Sequence, residues 1–486
     1  MNIKYFSTLK MIYIKAINEL YPDAKVKILH SLNNGVLSEI KGNIEITEGE
    51  IKKIKDKMNE LISLDLPIHR QDVKSCKFKK KTCFEHREDI VRLIEYSPDY
   101  DISVYEIGGY YDFFHNGLYP STGFITLFDI EKYGDKNGII LKYPLKEGEH
   151  FLPESVDHPK LAKVFCESER WGEIMGIPDV GALNEVIVGD EIGELIRVNE
   201  ALHGKKLAYI ADAIAEEKEV KLVTVAGPSS SGKTTFTKRL AIQLRANGVK
   251  PVVVSLDNYY RGKDFIPLDE NGEKDFESIE GLDLELLNEH LVKLTSGEEV
   301  EVPVYNFHTG QRENKGVKTE LEKDGILLIE GIHGLNERLT SHVEKKNKFK
   351  IYISCLTQLN IDDHNRIPTS EVRKLRRIVR DSLSRGTSAN GTLDMWESIR
   401  RGEEKNIFPY QEEADAIFNS NLIYELGVLK KYAIKELKKI DSGSQHFEEA
   451  TRLIKFLSYF REIDKELVPD NSILKEFIGG SYFYKY

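Results

Sequence analysis

Cysteine is scarce: Cys76, Cys83, Cys166 and Cys355 are the only four in 486 residues, and they form neither a CxxC pair nor a dense disulfide framework. A disulfide-stapled scaffold is thereby excluded, and Cys76 with Cys83, having no second pair nearby, reads as free thiols rather than as part of a zinc site. No stretch of about 18 uncharged apolar residues occurs, which excludes a membrane-spanning helix. The opening segment MNIKYFSTLKMIYIKAINELYP has only a short apolar stretch and no small-residue cleavage site, so the chain is expected to stay in the cytoplasm. Low-complexity tracts and internal repeats are missing, and GPSSSG and DSGSQ are too short for flexible linkers. Positive charge is in deficit too. A net charge of -11 and a pI near 5.8 argue against a protein that coats nucleic acid or an anionic membrane.

What is present is a soluble globular composition, 40% apolar and 31% charged, in a chain long enough for about three domains. Residues 221–240, KLVTVAGPSSSGKTTFTKRL, contain GxxxxGK[ST] as Gly227, Gly232, Lys233 and Thr234. The preceding Leu222, Val223 and Val225 read as a buried parallel strand. The following Phe236, Leu240 and Leu244 repeat along one helical face until Gly248 and Pro251. Strand, glycine loop and helix in that order place backbone N–H groups at a helix N-terminus, where they can hold a polyphosphate. Lys233 is expected to reach the β- and γ-phosphates and Thr234 to hold Mg²⁺, with Ser229, Ser230, Ser231 and Thr235 completing an ATP cradle.

Phosphoryl transfer also needs a base, a carboxylate near the metal and positive charge over the γ-phosphate. A strand from Val252 to Leu256 ends at Asp257, followed by Asn258, Tyr259 and Tyr260. Strand C-termini line the ligand crevice of an open parallel sheet, so Asp257 is expected to take the acceptor's proton. A third strand, Ile326–Ile329, delivers Glu330 to the place of a metal-orienting carboxylate. In EVRKLRRIVRDSLSRG, Leu375, Ile378, Val379 and Leu383 share one helical face, while Arg373, Arg377 and Arg380 cluster on another. That pattern reads as a phosphate-clamping lid. Asp257, Lys233 and Arg380 form the expected catalytic set.

Taken in order, GPSSSGKTTF, SLDNYY, DFES, VPVYNF, LLIEGIHGL, LRRIVRDSLSRG and ADAIFNSNLIYELGVLK resemble the uridine kinase and phosphoribulokinase family over most of residues 218–435. The resemblance implies a P-loop doubly wound parallel α/β sheet and transfer of the ATP γ-phosphate to a sugar-like hydroxyl, most simply the 5′-hydroxyl of a nucleoside. It further implies that Glu277 binds ribose hydroxyls, that Tyr305 and Phe307 help form the nucleoside pocket with Tyr259 and Asp257 on the substrate side, and that Arg377 reaches the acceptor. Arg380 and Arg385 would contact the triphosphate, and a homo-oligomer is implied by analogy. Two departures bear on the acceptor. Gly310 stands where the family's pyrimidine-reading histidine is expected, with His308 two residues early, and Thr387 replaces an arginine. The base is therefore left open, as is a phosphoribulokinase-like acceptor of another sugar or alcohol. The lid region is also longer, and its Trp396 is assigned equally to stacking on a base or to packing.

Residues 45–66 put Ile51, Ile54, Met58 and Ile62 in helical register, and YEIGGYYDFFHNGLYPSTGFITLFDI alternates aromatics with turn residues as strands do. These stretches and LPIHRQDV resemble, over roughly residues 1–180, the N-terminal and second additional (editing) domains of threonyl-tRNA synthetases. The editing pattern's Cys and His fall on Phe114 and Leu118, and His30 stands alone, so the region reads as a fold reused for binding, regulation or assembly. His115 and His150 have no metal-ligand spacing, and Lys77, Lys79, Lys80 and Lys81 read as solvated surface. The expected organisation is a TGS-like domain at 1–44, an α+β synthetase-like domain at 45–200, and a P-loop kinase domain at 201–486. It ends in a helical stretch and FIGGSYFYKY, to which no function is assigned. The expected partner is a small-molecule acceptor, with neither membrane nor nucleic acid. The alternative from another class is an ATP-binding, RNA-associated regulatory module.

Overall fold

The computed structural model describes residues 2–74, 84, 87–98, 101–134, 137–270, 272–306, 309–357 and 359–484. It divides into two units, each assembled from three separate stretches of chain. Met1–Ile192, Thr357–Pro368 and Lys455–Arg461 make unit 1; Gly193–Leu356, Thr369–Ile454 and Glu462–Tyr486 make unit 2. Among the described residues no helix is long and apolar enough to cross a membrane.

In unit 1 the apolar opening segment becomes helix α1 (Ile3–Leu20), capped by the Asn2 side chain, which accepts from the Tyr5 N–H at 3.4 Å. Every residue from Tyr5 to Ile17 is buried, the signature of a core helix rather than a surface one. It packs with an antiparallel sheet formed by β1 (Lys25–Leu32), β2 (Gly35–Lys41), β6 (Asp129–Tyr133) and β7 (Gly138–Lys142), in the order β1-β2-β7-β6. Helix α2 (Glu48–Ser63) starts at Thr47, whose hydroxyl accepts from the Glu50 N–H. It buries Ile51, Ile54, Met58 and Leu61. The expected fourth position, Ile62, is partly buried against the same core, and Leu61 joins it, since steps of three and of four from Met58 both stay on one face.

A second antiparallel sheet joins β3 (Ile68–Lys74), β4 (Asp101–Ile107) and β5 (Tyr110–Phe113). The β4–β5 turn is Gly108–Gly109, with φ of 49° and 82°, as a two-residue hairpin loop requires. Within the stretch read as strands joined by tight turns, residues 122–124 form a single 3₁₀ turn. Cys76, Cys83 and the lysines from 77 to 81, read as free thiols and solvated surface, lie outside the described residues. His115 is buried against Phe456 and Tyr459.

Unit 2 is built on the α/β pattern. Strand β8 (Leu222–Ala226) is buried at every position. Next comes β9 (Lys250–Ser255), followed by two small antiparallel pairs, β10 (Val300–Val302) with β13 (Val317–Thr319) and β11 (Tyr305–Asn306) with β12 (Gln311–Arg312). Strands β14 (Gly325–Glu330) and β15 (Lys348–Ser354) follow. After β15 the chain contributes the hairpin β16 (Asn360–Asp362) and β17 (Asn365–Arg366) to unit 1. There His364 Nδ1 lies 2.6 Å from Asp112 Oδ2, and Arg87 pairs with Asp112 at 3.1 Å and Asp89 at 2.7 Å, all buried or nearly so. The chain then returns to unit 2 as the helix Thr369–Ser384 and, later, β18 (Ala416–Asn419).

The five-stranded sheet runs β18-β15-β8-β14-β9, every pair parallel, as expected for the C-terminal half. Pro251, read as a helix stop, lies inside β9. That position is tolerable because β9 is an edge strand, and the preceding helix ends instead at Gly248, with φ of 80°.

Candidate active site

The glycine loop, Asp257 and Glu330 lie in unit 2 at the C-terminal ends of β8, β9 and β14, and the arginines lie on or just after the helix Thr369–Ser384 of the same unit. From the end of β8 the chain turns through Gly227–Gly232 into the helix Lys233–Ala246. Two glycines are fixed by contact. A Cβ on Gly227 would sit 1.9 Å from the Ile353 carbonyl oxygen, and one on Gly232, whose φ is 89°, would sit 2.5 Å from Ile473 Cγ2. Ser229, Ser230 and Ser231 are buried. The Lys233 ammonium donates to the carbonyls of Gly227 (3.0 Å) and Pro228 (3.2 Å), and burial lowers its pKa against the pull of Glu330 and Asp257.

The two groups expected to hold the metal are brought together: Thr234 Oγ1 donates to Glu330 Oε1 at 3.3 Å. Burial, reinforced by the Asp257 charge, pushes Glu330 up to about 7. Asp257 sits in the 3₁₀ turn Leu256–Tyr259 at the end of β9, its N–H on Ser255 Oγ at 3.3 Å. Its charge also contributes to raising Glu277 and Tyr260, so Asp257, Glu277, Glu330 and Lys233 share one electrostatic neighbourhood.

One residue of the expected set is placed elsewhere. Tyr259 is buried in the core with its hydroxyl 3.0 Å from His290 Nδ1. The turn after Asp257 sends successive side chains in different directions, and it is Tyr260 that meets the Tyr305 ring at 5.8 Å between centroids. Tyr260 therefore replaces Tyr259 beside the acidic groups. Phe307 lies outside the described residues.

The arginine helix Thr369–Ser384 is buried along almost its whole length, and its cations have separate duties. Arg373 donates through Nε to the Ser229 carbonyl at 2.9 Å and pairs with Glu403 Oε1, which also accepts from the Ser229 N–H at 2.8 Å. Arg376 pairs with Glu425 at 2.6 Å and reaches the carbonyls of Ser420 (2.8 Å) and Ser230 (3.4 Å). These two brace the glycine loop from behind. Arg377, Arg380 and Arg385 instead gather around one carboxylate, Asp381, at 3.1, 2.8 and 3.8 Å. Glu277 and Glu403 also act on Arg377, and Asp257 on Arg385, while crowding by Arg380, ahead of burial, holds Arg385 down to about 10. Guanidiniums gathered in this way suit a polyanion. Arg377 also donates to Ser229 Oγ. Leu383, read as part of the apolar face, is exposed, and Trp396 is buried beneath Arg373 and Lys374 at 5.7 and 5.8 Å.

Glu277 is buried and lifted to about 7, mainly by desolvation and then by Glu403. A Cβ on Gly402 would collide with Glu277 Cβ at 2.3 Å, so the helix Ala389–Asn406 lies directly against this acid. Sequence reasoning missed Glu403, Asp381 and Arg376. Only Asp381 carried a local signal, its spacing of four from Arg377 and from Arg385.

The family model described as phosphoribulokinase / uridine kinase matches residues 222–423. Uridine kinase of Halobacterium salinarum is 27% identical over 197 residues, spanning 40% of this chain and 78% of that protein. Uridine kinase of Staphylococcus aureus is 27% identical over 201 residues, or 41% and 87%. A solved structure described as a possible uridine kinase from Bacillus stearothermophilus is similar at 17% identity and a TM-score of 0.31, covering 44% of this chain and 98% of that one.

Proposed function

Because the C-terminal half carries a P-loop kinase domain of the phosphoribulokinase/uridine kinase family, we propose that this protein transfers the γ-phosphate of ATP to the hydroxyl of a small acceptor, most simply the 5′-hydroxyl of a nucleoside. One observation carries the reading. Asp257 and Glu277 flank the phosphate-binding loop closely enough to interact electrostatically with Lys233 and with each other, while the arginines around Asp381 supply the opposite charge.

Asp257 takes the acceptor's proton, Lys233 and Arg380 neutralise charge developing on the γ-phosphoryl group, and Arg385 adds to it. Magnesium fits the donors present. Thr234 and Glu330 offer hard oxygens side by side, and among the described residues no group of three or more His, Cys, Asp or Glu forms a closed metal cage. Mg²⁺ characteristically takes one or two protein ligands and completes its shell with water and phosphate. It would supply charge neutralisation at the transferred phosphate.

Purified protein with ATP and Mg²⁺ should phosphorylate a nucleoside in a screen of nucleosides and sugar phosphates. Turnover of sugar phosphates alone would move the acceptor to the phosphoribulokinase type, a reading favoured by Gly310 in place of a base-reading histidine.

A pH profile tests the Glu277 assignment. To accept two acceptor hydroxyls, Glu277 must be ionised, and in the free protein its pKa is about 7. Burial, Glu403 and Asp257 push it up, while Arg377 on the arginine helix and Lys233 on the loop helix oppose them. The acceptor's kcat/KM should therefore fall as pH drops below about 7, the limb reporting the free enzyme. Glu277→Gln should lower kcat/KM and flatten that limb, leaving only what Glu330, also lifted to about 7, contributes. A limb of unchanged steepness would assign it to a group other than Glu277.

A further inference from the structure

The chain returns to unit 2 at Glu462, and its segment beyond Ser472 closes on the phosphate-binding loop from the side of the loop helix. Ile473, Leu474 and Phe477 are wholly buried. Ile473 fills the space a side chain on Gly232 would need, and the Phe477 ring lies 5.0 Å from the Arg376 guanidinium. Lys238 on the loop helix donates to the Phe483 carbonyl at 3.1 Å and stands 4.0 Å from the Tyr484 ring. Between these anchors, Glu476 Oε2 accepts two hydrogen bonds from one residue: the Thr235 N–H at 3.1 Å and the Thr235 hydroxyl at 2.7 Å.

The position of Thr235 gives that contact its meaning. It is the third residue of the loop helix, so its N–H belongs to the first turn, whose donors have no partner within the helix. The first intrahelical bond runs from Phe236 to the Gly232 carbonyl at 3.0 Å. In a glycine loop of this type, those first-turn donors and the dipole behind them hold the phosphates of a nucleotide. Here a buried carboxylate, an anion supplied by the chain itself, holds them. The segment lies beyond the last residue of the family match.

We propose that Ser472–Phe483 forms part of the nucleotide site and that Glu476 sets nucleotide affinity, its carboxylate holding the Thr235 donors in place of a phosphate and yielding them when a nucleoside triphosphate arrives. The inference rests on the reading that this loop binds ATP. Nucleotide phosphate and carboxylate compete for the same two hydrogen-bond donors, and both carry negative charge. The resting protein is thus held in a lower-affinity form.

The test is calorimetric titration of ATP–Mg²⁺ into the full chain. Glu476→Gln keeps the size and one acceptor oxygen but removes the charge, and ATP should bind about tenfold more tightly. A carboxylate with only a structural part would give the opposite sign, so unchanged or weaker binding overturns the inference. Lys233→Ala separates this from the underlying reading. Nucleotide binding that survives Lys233→Ala would sink the loop assignment itself, whereas Lys233-dependent binding indifferent to Glu476 would sink only the competition. Should Glu476→Gln fail to fold, Lys238→Met loosens the segment at Phe483 and Tyr484 without touching Thr235. It is expected to tighten binding several-fold, and no change there also overturns the proposal.

Discussion

Asp257→Asn is expected to lower kcat by about 10²–10⁴-fold, the usual worth of a positioned general base, while leaving the dissociation constant for ATP within a factor of two or so of its original value. Asparagine preserves the shape of the 3₁₀ turn and the N–H bond to Ser255 but cannot accept a proton. In the proposed reading the nucleotide is held by the loop backbone and Lys233, which the substitution leaves in place. Loss of the Asp257 charge should also let Glu330 and Glu277 ionise at lower pH, since Asp257 contributes to raising both. Steady-state kinetics with direct nucleotide titration decides the matter. Unchanged kcat would remove Asp257 as the base, and lost ATP binding would make it part of the nucleotide site.

The second large effect concerns stability. Arg373 and Glu403 are both fully buried and paired, and Glu403 also accepts from the Ser229 N–H. Glu403→Ala leaves a guanidinium uncompensated in the interior and a loop N–H without its acceptor. Breaking such a buried pair from one side costs about 3–5 kcal/mol, which for a unit of this size corresponds to a fall of about 10 °C in melting temperature. Thermal unfolding followed by circular dichroism measures it. The double variant Arg373→Met/Glu403→Leu should recover much of the loss, because removing both charges ends the penalty of leaving one alone. Equal melting of Glu403→Ala and the original protein would show the pair to be dispensable.

The strand, glycine loop and helix at 222–246 were legible because each rests on neighbouring residues: a β-branched run, glycines at fixed spacing, then an apolar period of four. The strands ending at Asp257 and Glu330 and the amphipathic helix at Glu48–Ser63 were readable on the same grounds. What escaped was decided by partners remote in sequence. Glu403 meets Ser229 across 174 positions and Glu476 meets Thr235 across 241. A glutamate on a helix looks solvated until the partner that buries it is known. Arg373 misled for the same reason: its spacing from Arg377 and Arg380 marked a phosphate-clamping lid, but its pairing with Glu403 turns it to bracing the loop, as Glu425 does for the unread Arg376. Tyr259 and Tyr260 show the limit at short range, since adjacent tyrosines in a turn are told apart only by which one the His290 side of the core accepts.

The detour of residues 357–368 restricts how this protein can be shuffled. A gene fragment stopping at Ile192 would encode a body missing His364, the partner of its own buried Asp112, and Tyr459, whose carbonyl accepts from Ser97. A fragment beginning at Gly193 would carry Ile361 and Ile367, both buried in the whole chain, without their host. Recombination between the halves must therefore transplant three stretches together, so the pair is expected to be inherited as a single indivisible piece.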